Sequence, residues 1–168
     1  MWLALYSVHL RYQWNLNKIM GWVAIGRGLV ALLEQHGVPS TRINLIPNPV
    51  DTSALVNLPF PDPHSKLRIG FVGALTEAKG IHILIEAIKG LPVELHAAGV
   101  GPLSDVAARS GVTLHGAIPQ ESLPMFYSSV DVVIVPSTCA EAFGRVAVEA
   151  MAAGRPLIAS NIGGLRDI

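Results

Sequence analysis

The sequence is poor in charge and nearly devoid of cysteine. Only 14% of its 168 residues are charged, and its 12 basic and 12 acidic side chains cancel to a formal net charge of zero. Without a basic surplus to meet a polyanion, nucleic acid is excluded as a main partner. The single cysteine, Cys139, excludes an internal disulfide and fits a reducing, cytoplasmic compartment. Cys139 is also a poor nucleophile candidate, because no histidine or other base stands next to it to activate it. The six histidines (His9, His36, His64, His82, His96, His115) show no metal-ligand spacing. Residues 1–10 are apolar, but no small-residue cleavage site follows, which argues against a signal peptide. Residues 19–33 are apolar too, yet they are shorter than a bilayer span and contain Arg27 and three glycines. There is no internal repeat and no low-complexity tract.

What is abundant is apolar: 51% of the residues are hydrophobic, enough for a large core in one domain and part of another. Trp2, Tyr6, Tyr12 and Trp14 crowd the start and read as a helix or loop that packs on another surface. A strand at 22–25, a helix at 29–36 stopped by Gly37, and an extended run at 42–46 follow. Pro47-Asn48-Pro49 and the alternate prolines of 59–63 mark a stiff connector, so a domain boundary is expected between 47 and 65.

Beyond it the pattern is regular. Strands are expected at 67–73, 93–98, 112–114, 131–136 and 156–160, and helices at 80–89, 103–110, 121–129 and 143–153. Strict alternation predicts an α/β fold, a Rossmann-like doubly wound parallel sheet with right-handed crossovers. In the order 3-2-1-4-5 the switch point falls between the first and fourth of these strands, and ligands bind outside the carboxyl ends there. Two loops then face each other, 73–80 and 137–144, which brings Lys79 toward Glu141 and toward the start of the last helix. A helix N-terminus offers unpaired amides and partial positive charge. Here those amides are expected at Phe143, Gly144 and Arg145, with Gly144 open to close approach by a ligand. With Lys79 they suit a diphosphate, while Glu141 and Glu149, separated by seven residues, suit the hydroxyls of two sugars. Solvated carboxylates, a helix cap at Glu141 and a solvated loop lysine at Lys79 are the alternatives.

Five motifs in order carry a resemblance: I-P-N-P-V-D at 46–51, F-V-G-A-L-T-E-A-K-G at 71–80, A-G-V-G-P at 98–102, E-A-F-G-R-V-A-V-E-A-M-A-A-G at 141–154 and P-L-I-A-S-N-I-G-G at 156–164. Together they resemble the group 1 family of retaining glycosyltransferases with the GT-B fold. The resemblance implies transfer of a sugar, of hexosyltransferase type, from a nucleotide-diphosphate donor to an acceptor hydroxyl with retention. It implies that Lys79 and the amides of Phe143, Gly144 and Arg145 bind the donor diphosphate. Glu141 and Ala142 would hold the donor sugar, Glu149 the ribose, and the backbone near Ile118 the base. No catalytic nucleophile is implied in this half, and no metal is required. The absence of an Asp-x-Asp pair near the crevice agrees with that.

By the family's pattern, residues 1–46 are the end of an acceptor-side N-terminal domain and 47–65 the linker. Residues 66–168 are then a nucleotide-sugar-binding domain, incomplete at its C-terminus. The acceptor (lipid, glycan or small molecule) is left open, as is peripheral contact with the inner face of a membrane through a missing N-terminal domain. Two positions depart from the pattern: Pro49 replaces a common glycine, and Ala74 stands where an arginine usually adds a phosphate ligand. Arg145 is the candidate substitute for that charge. Two other classes compete with this reading. A non-catalytic nucleotide or nucleotide-sugar module, or gene remnant, would carry the same motifs. A dinucleotide-binding oxidoreductase is disfavoured, because Gly70-Phe71-Val72-Gly73 fails the G-x-G-x-x-G spacing.

Overall fold

The structure, a computed structural model, describes residues 18–168, so the aromatic cluster of Trp2, Tyr6, Tyr12 and Trp14 lies outside the described residues. The chain divides into two compact units, Met1–Asn48 and Pro49–Ile168. In the first, β1 (Trp22–Ala24) and β2 (Ile43–Leu45) pair in parallel with Trp22 opposite Ile43. Helix α1 (Arg27–Gln35) makes the crossover between them. No helix among the described residues is long and apolar enough to cross a membrane.

In the second unit, five strands form one parallel sheet: β3 (Leu67–Val72), β4 (Val93–Ala98), β5 (Thr113–Gly116), β6 (Val132–Val135) and β7 (Leu157–Ala159). Their spatial order is β5-β4-β3-β6-β7, the doubly wound order expected from the sequence. The crossovers carry α2 (Ile81–Ala87), α3 (Ser104–Arg109), α4 (Leu123–Ser128) and α5 (Arg145–Ala152).

Successive strand residues point to opposite faces, and the core divides accordingly. Ile69 and Phe71 of β3, with Leu95 and Ala97 of β4, pack with Ile81 and Leu84 of α2 and Ala107 of α3. Val133 and Val135 of β6 face the other way, onto Phe126 and Tyr127 of α4 and Ala147 and Ala150 of α5. Small residues on α5 let that helix lie close to the sheet, which brings its first turn to the carboxyl ends of the strands.

Residues 49–65 carry no strand or helix, yet they lie on the second unit. Leu55 is buried in the β6–α4–α5 core. The Arg155 guanidinium donates to the Pro59 carbonyl and sits 4.7 Å from the Phe60 ring centroid. His64 ties the segment to the start of β6: Nε2 lies 2.7 Å from Asp131 Oδ2 and Nδ1 lies 2.6 Å from the Asp62 carbonyl. Both ring nitrogens face acceptors, an arrangement that favours the doubly protonated, charged ring. The Asp62 carbonyl raises the His64 pKa above its usual 6.5, and Asp131 adds to this. Burial by itself would push the Asp131 carboxyl up, but the Arg68 amide and His64 outweigh it and hold it below its usual value.

The contribution of His64 is therefore full below about pH 6.5 and fades as pH rises through its folded-state value, while that of Asp131 is lost only in acid. Urea unfolding of the wild type and His64→Ala should show a larger stability gap at about pH 5.5 than at about pH 8.5. Equal gaps at the two pH values would mean that the ring is not charged in the folded state.

Candidate functional site

The switch point lies between β3 and β6, and the loops after these strands are fastened together by their backbones. The Thr138 amide donates to the Ala78 carbonyl at 2.9 Å, and the Thr138 hydroxyl donates to the Glu77 carbonyl at 2.9 Å. Gly80, with φ +75°, caps α2 and lies against the Pro136 carbonyl, where a Cβ would collide. This contact brings Lys79 and Glu141 together: Nζ is 2.8 Å from Oε1, and the Glu141 side chain is 14% exposed. The buried Ser137 hydroxyl donates to the same carboxylate oxygen. Glu141 thus keeps a neutral donor whenever the lysine moves toward another anion.

Glu149 has a different environment. It lies in α5 and is 3% exposed. The Tyr127 hydroxyl donates to Oε2 at 3.0 Å, and Arg145, one turn earlier on α5, donates to Oε1 at 3.1 Å. Tyr127 is fully buried in the core beneath the helix. Burial first, then the negative charge of Glu149, pushes its phenol well above its ordinary value, so it stays a neutral donor. Arg145 has a side chain 53% exposed and reaches the carboxylate from the solvent side.

Arg145 and Glu149 form one wall of a cleft of about 500 Å³ whose other walls include Gly73, Ala74, Gly99 and Ile118. These last four residues follow the carboxyl ends of β3, β4 and β5. Among the residues that line the cleft, Arg145 and Glu149 alone carry charge. The cleft therefore offers one cation with exposed donors and one buried acceptor, a pairing suited to an anion linked to a diol.

The other expected site residues are placed as follows. Ala142 is exposed and Phe143 partly exposed in the loop before α5. The helix begins at Arg145, two residues later than the sequence pattern suggests, because Gly144 adopts the left-handed conformation with φ +98°. The amides of Ala147 and Val148 are taken by the Gly144 carbonyl, which leaves those of Arg145 and Val146 as the first-turn amides without a partner inside the helix. The side of Gly144 where a Cβ would stand is filled by Leu165 and Ile168. Its lack of a side chain makes room for Leu165 of the turn Gly163–Asp167 and for Ile168. That turn also donates the Gly164 amide to the Glu141 carbonyl at 2.6 Å and so fixes the loop.

Cys139 is exposed, with its thiol 3.6 Å from the Ala78 carbonyl. His96 and His115, on neighbouring strands, face each other at 3.1 Å. Among the described residues no group of three or more His, Cys, Asp or Glu side chains gathers as a metal site would require.

Two residues of this region escape the sequence reading, Ser137 and Tyr127. A signal for Tyr127 exists. It lies one helical turn after Leu123 on the buried face of α4, and a buried phenol needs an acceptor.

The comparisons with known proteins bear on the family and the fold. A family model described as "Glycosyl transferases group 1" matches residues 66–168. An uncharacterized glycosyltransferase of Methanocaldococcus jannaschii is 40% identical over 110 residues, covering 58% of this chain and 28% of that protein. A D-inositol 3-phosphate glycosyltransferase of Corynebacterium urealyticum is 36% identical over 125 residues, covering 62% of this chain and 29% of that protein. Among solved structures, the sucrose-phosphate synthase of Thermosynechococcus elongatus superposes with a TM-score of 0.71 at 29% identity, covering 86% of this chain and 41% of that one. An Anabaena protein solved in complex with UDP and glucose gives 0.74 at 24% identity, covering 88% of this chain and 46% of that one, a likeness of fold alone. The chain thus spans less than half the length of each of these proteins.

Proposed function

The chain belongs to the group 1 glycosyltransferases, and on that premise we propose that it forms the donor-binding half of an enzyme that moves a sugar from a nucleotide-diphosphate donor to an acceptor hydroxyl. The observation that carries the reading is the buried Glu149 carboxylate, held between Tyr127 and Arg145 in the wall of the switch-point cleft. In this reading the ribose hydroxyls donate to Glu149, and the base lies against the backbone near Ile118. The diphosphate meets Arg145 and the first amides of α5, and Lys79 approaches it from the facing loop. The donor sugar reaches Glu141, beside Ala142. As the glycosidic bond breaks, charge grows on the leaving diphosphate, and these donors stabilise it without reorganising.

Transfer with retention, on one face of the sugar and with the donor phosphate taking the acceptor's proton, needs no nucleophile from this half and no metal. The reading is supported by family membership and by the UDP and glucose bound in the Anabaena relative of like fold. Residues 1–46 would belong to the acceptor side and 47–65 to the linker. A reducing, cytoplasmic setting suits the exposed Cys139.

Calorimetric titration with UDP, ADP and GDP and with their hexose conjugates tests this. At least one nucleotide should bind, and its sugar conjugate should bind more tightly. Glu141→Ala should reduce that preference for the sugar conjugate by roughly tenfold while leaving the bare nucleotide within about threefold. Failure of all six ligands to bind the wild type would refute the donor-site reading. An equal loss for nucleotide and conjugate would remove Glu141 from the sugar subsite.

A further inference from the structure

A carboxylate recognises a diol only if its free lone pairs point at the ligand, and a glutamate side chain has three torsions with which to point elsewhere. Glu149 is denied that freedom. Its Oε2 accepts from the Tyr127 hydroxyl at 3.0 Å on the core side, and its Oε1 lies 3.1 Å from Arg145 on the cleft side. The two partners differ in kind. Tyr127 is fully buried among Ala147, Ala150 and Val130, does not line the cleft, and cannot leave without opening the core. Arg145 is half exposed, lines the cleft and is held by one end only.

We propose that Tyr127 is a positioning residue for ribose recognition: its buried hydroxyl locks one oxygen of Glu149, so that the other faces the cleft and accepts from the vicinal hydroxyls of a nucleotide. Arg145 is the exchangeable partner. It balances the buried carboxylate before the ligand arrives and turns its donors to the phosphate as the diol takes its place on Oε1. The proposal rests on the donor-site reading above and adds to it a residue that never touches the ligand. It also explains why a phenol, and not phenylalanine, sits at a fully buried position. The ring alone would fill the space, whereas the hydroxyl finds its acceptor, among the described residues, in Glu149.

The test compares Tyr127→Phe with the wild-type chain, using UDP, ADP and GDP and their 2′,3′-dideoxy counterparts in calorimetric titration. The wild type should prefer the ribose form of its best nucleotide by about tenfold or more. Tyr127→Phe should reduce that preference to about threefold or less, by weakening the ribose form alone and leaving the dideoxy affinity where it was. A variant that keeps the full preference overturns the inference while the donor-site reading stands. So does one that weakens both forms alike, since a merely structural tyrosine would act that way. A wild type that binds ribose and dideoxy forms equally overturns it as well, and a wild type that binds no nucleotide removes both readings.

Should the variant fail to fold, the wild type itself gives the answer through ring-¹³Cζ-labelled tyrosine. The Tyr127 resonance is assigned by comparison with Tyr6→Phe and Tyr12→Phe chains. It should move on addition of the ribose nucleotide and stay in place with the dideoxy form. An equal response to both would overturn the proposal.

Discussion

Glu149→Ala is expected to weaken nucleoside diphosphate binding by roughly a hundredfold, the sum of two hydrogen bonds to a charged acceptor. The same substitution should cost the fold about 2 kcal/mol, within the usual range for a buried donor left without its partner. The two losses have separate origins. The stability term comes from the core side, where the fully buried Tyr127 hydroxyl would have no acceptor. Arg145 adds little to it, because its half-exposed side chain can hydrate when the carboxylate goes. The binding term comes from the cleft side.

Glu149→Gln separates them. Its amide oxygen can still accept from Tyr127, so stability should stay within about 1 kcal/mol of wild type. Its NH₂ presents donors where the ligand's hydroxyls and Arg145 need an acceptor, so binding should fall nearly as far as in the alanine variant. Calorimetry with UDP, ADP and GDP and urea unfolding of the three proteins measure both effects. If the glutamine variant bound nucleotide as wild type does, the negative charge at 149 would have no part in recognition.

The sheet is legible in the sequence because its information is local and repeated. Apolar runs bounded by glycine and proline, alternating with helical stripes, specify the parallel order that sets 73–80 against 137–144, and the 2.8 Å contact of Lys79 with Glu141 follows from that order. What escapes depends on contacts between distant residues. The sequence pattern starts α5 two residues early, since nothing in the local sequence shows that Gly144 is left-handed, with Leu165 and Ile168 on the side where a Cβ would stand. Leu55 sits in a proline-rich stretch that reads as a connector, yet its burial is decided by α4 and α5 far along the chain. Tyr127 reads as one more core aromatic. Only the packing of α4 beside α5 shows that its hydroxyl meets Glu149. The carboxylates are visible in the sequence and the groups that aim them are not, because aiming is a property of tertiary packing.

The loop contact itself makes the second large prediction. Gly80→Ala should destabilise the chain by about 2–5 kcal/mol, combining a left-handed backbone penalty of about 1–2 kcal/mol with a backbone collision of about 1–3 kcal/mol. The collision is with the Pro136 carbonyl, which belongs to the segment leaving β6 and cannot rotate away as a side-chain tip would. Gly90, at the other end of the same helical region, is the control. Its φ is +79°, close to the +75° of Gly80, but a Cβ there meets nothing within 4 Å. Gly90→Ala therefore carries the backbone penalty alone, about 1–2 kcal/mol, and the difference between the two variants isolates the loop contact.

The consequence reaches the site. If the chain accommodates the added methyl group at position 80 by parting the two loops, the Thr138 bonds to 77–78 and the Lys79–Glu141 pair part with them. Gly80→Ala should then lose preference for the sugar conjugate over the bare nucleotide at temperatures where it is still folded, and Gly90→Ala should keep it. Urea unfolding and calorimetry on both variants decide the matter. Equal stability losses would show that the loops yield freely at Pro136. A folded Gly80→Ala chain with wild-type sugar preference would show that the loop contact does not hold Lys79 and Glu141 in place for the donor.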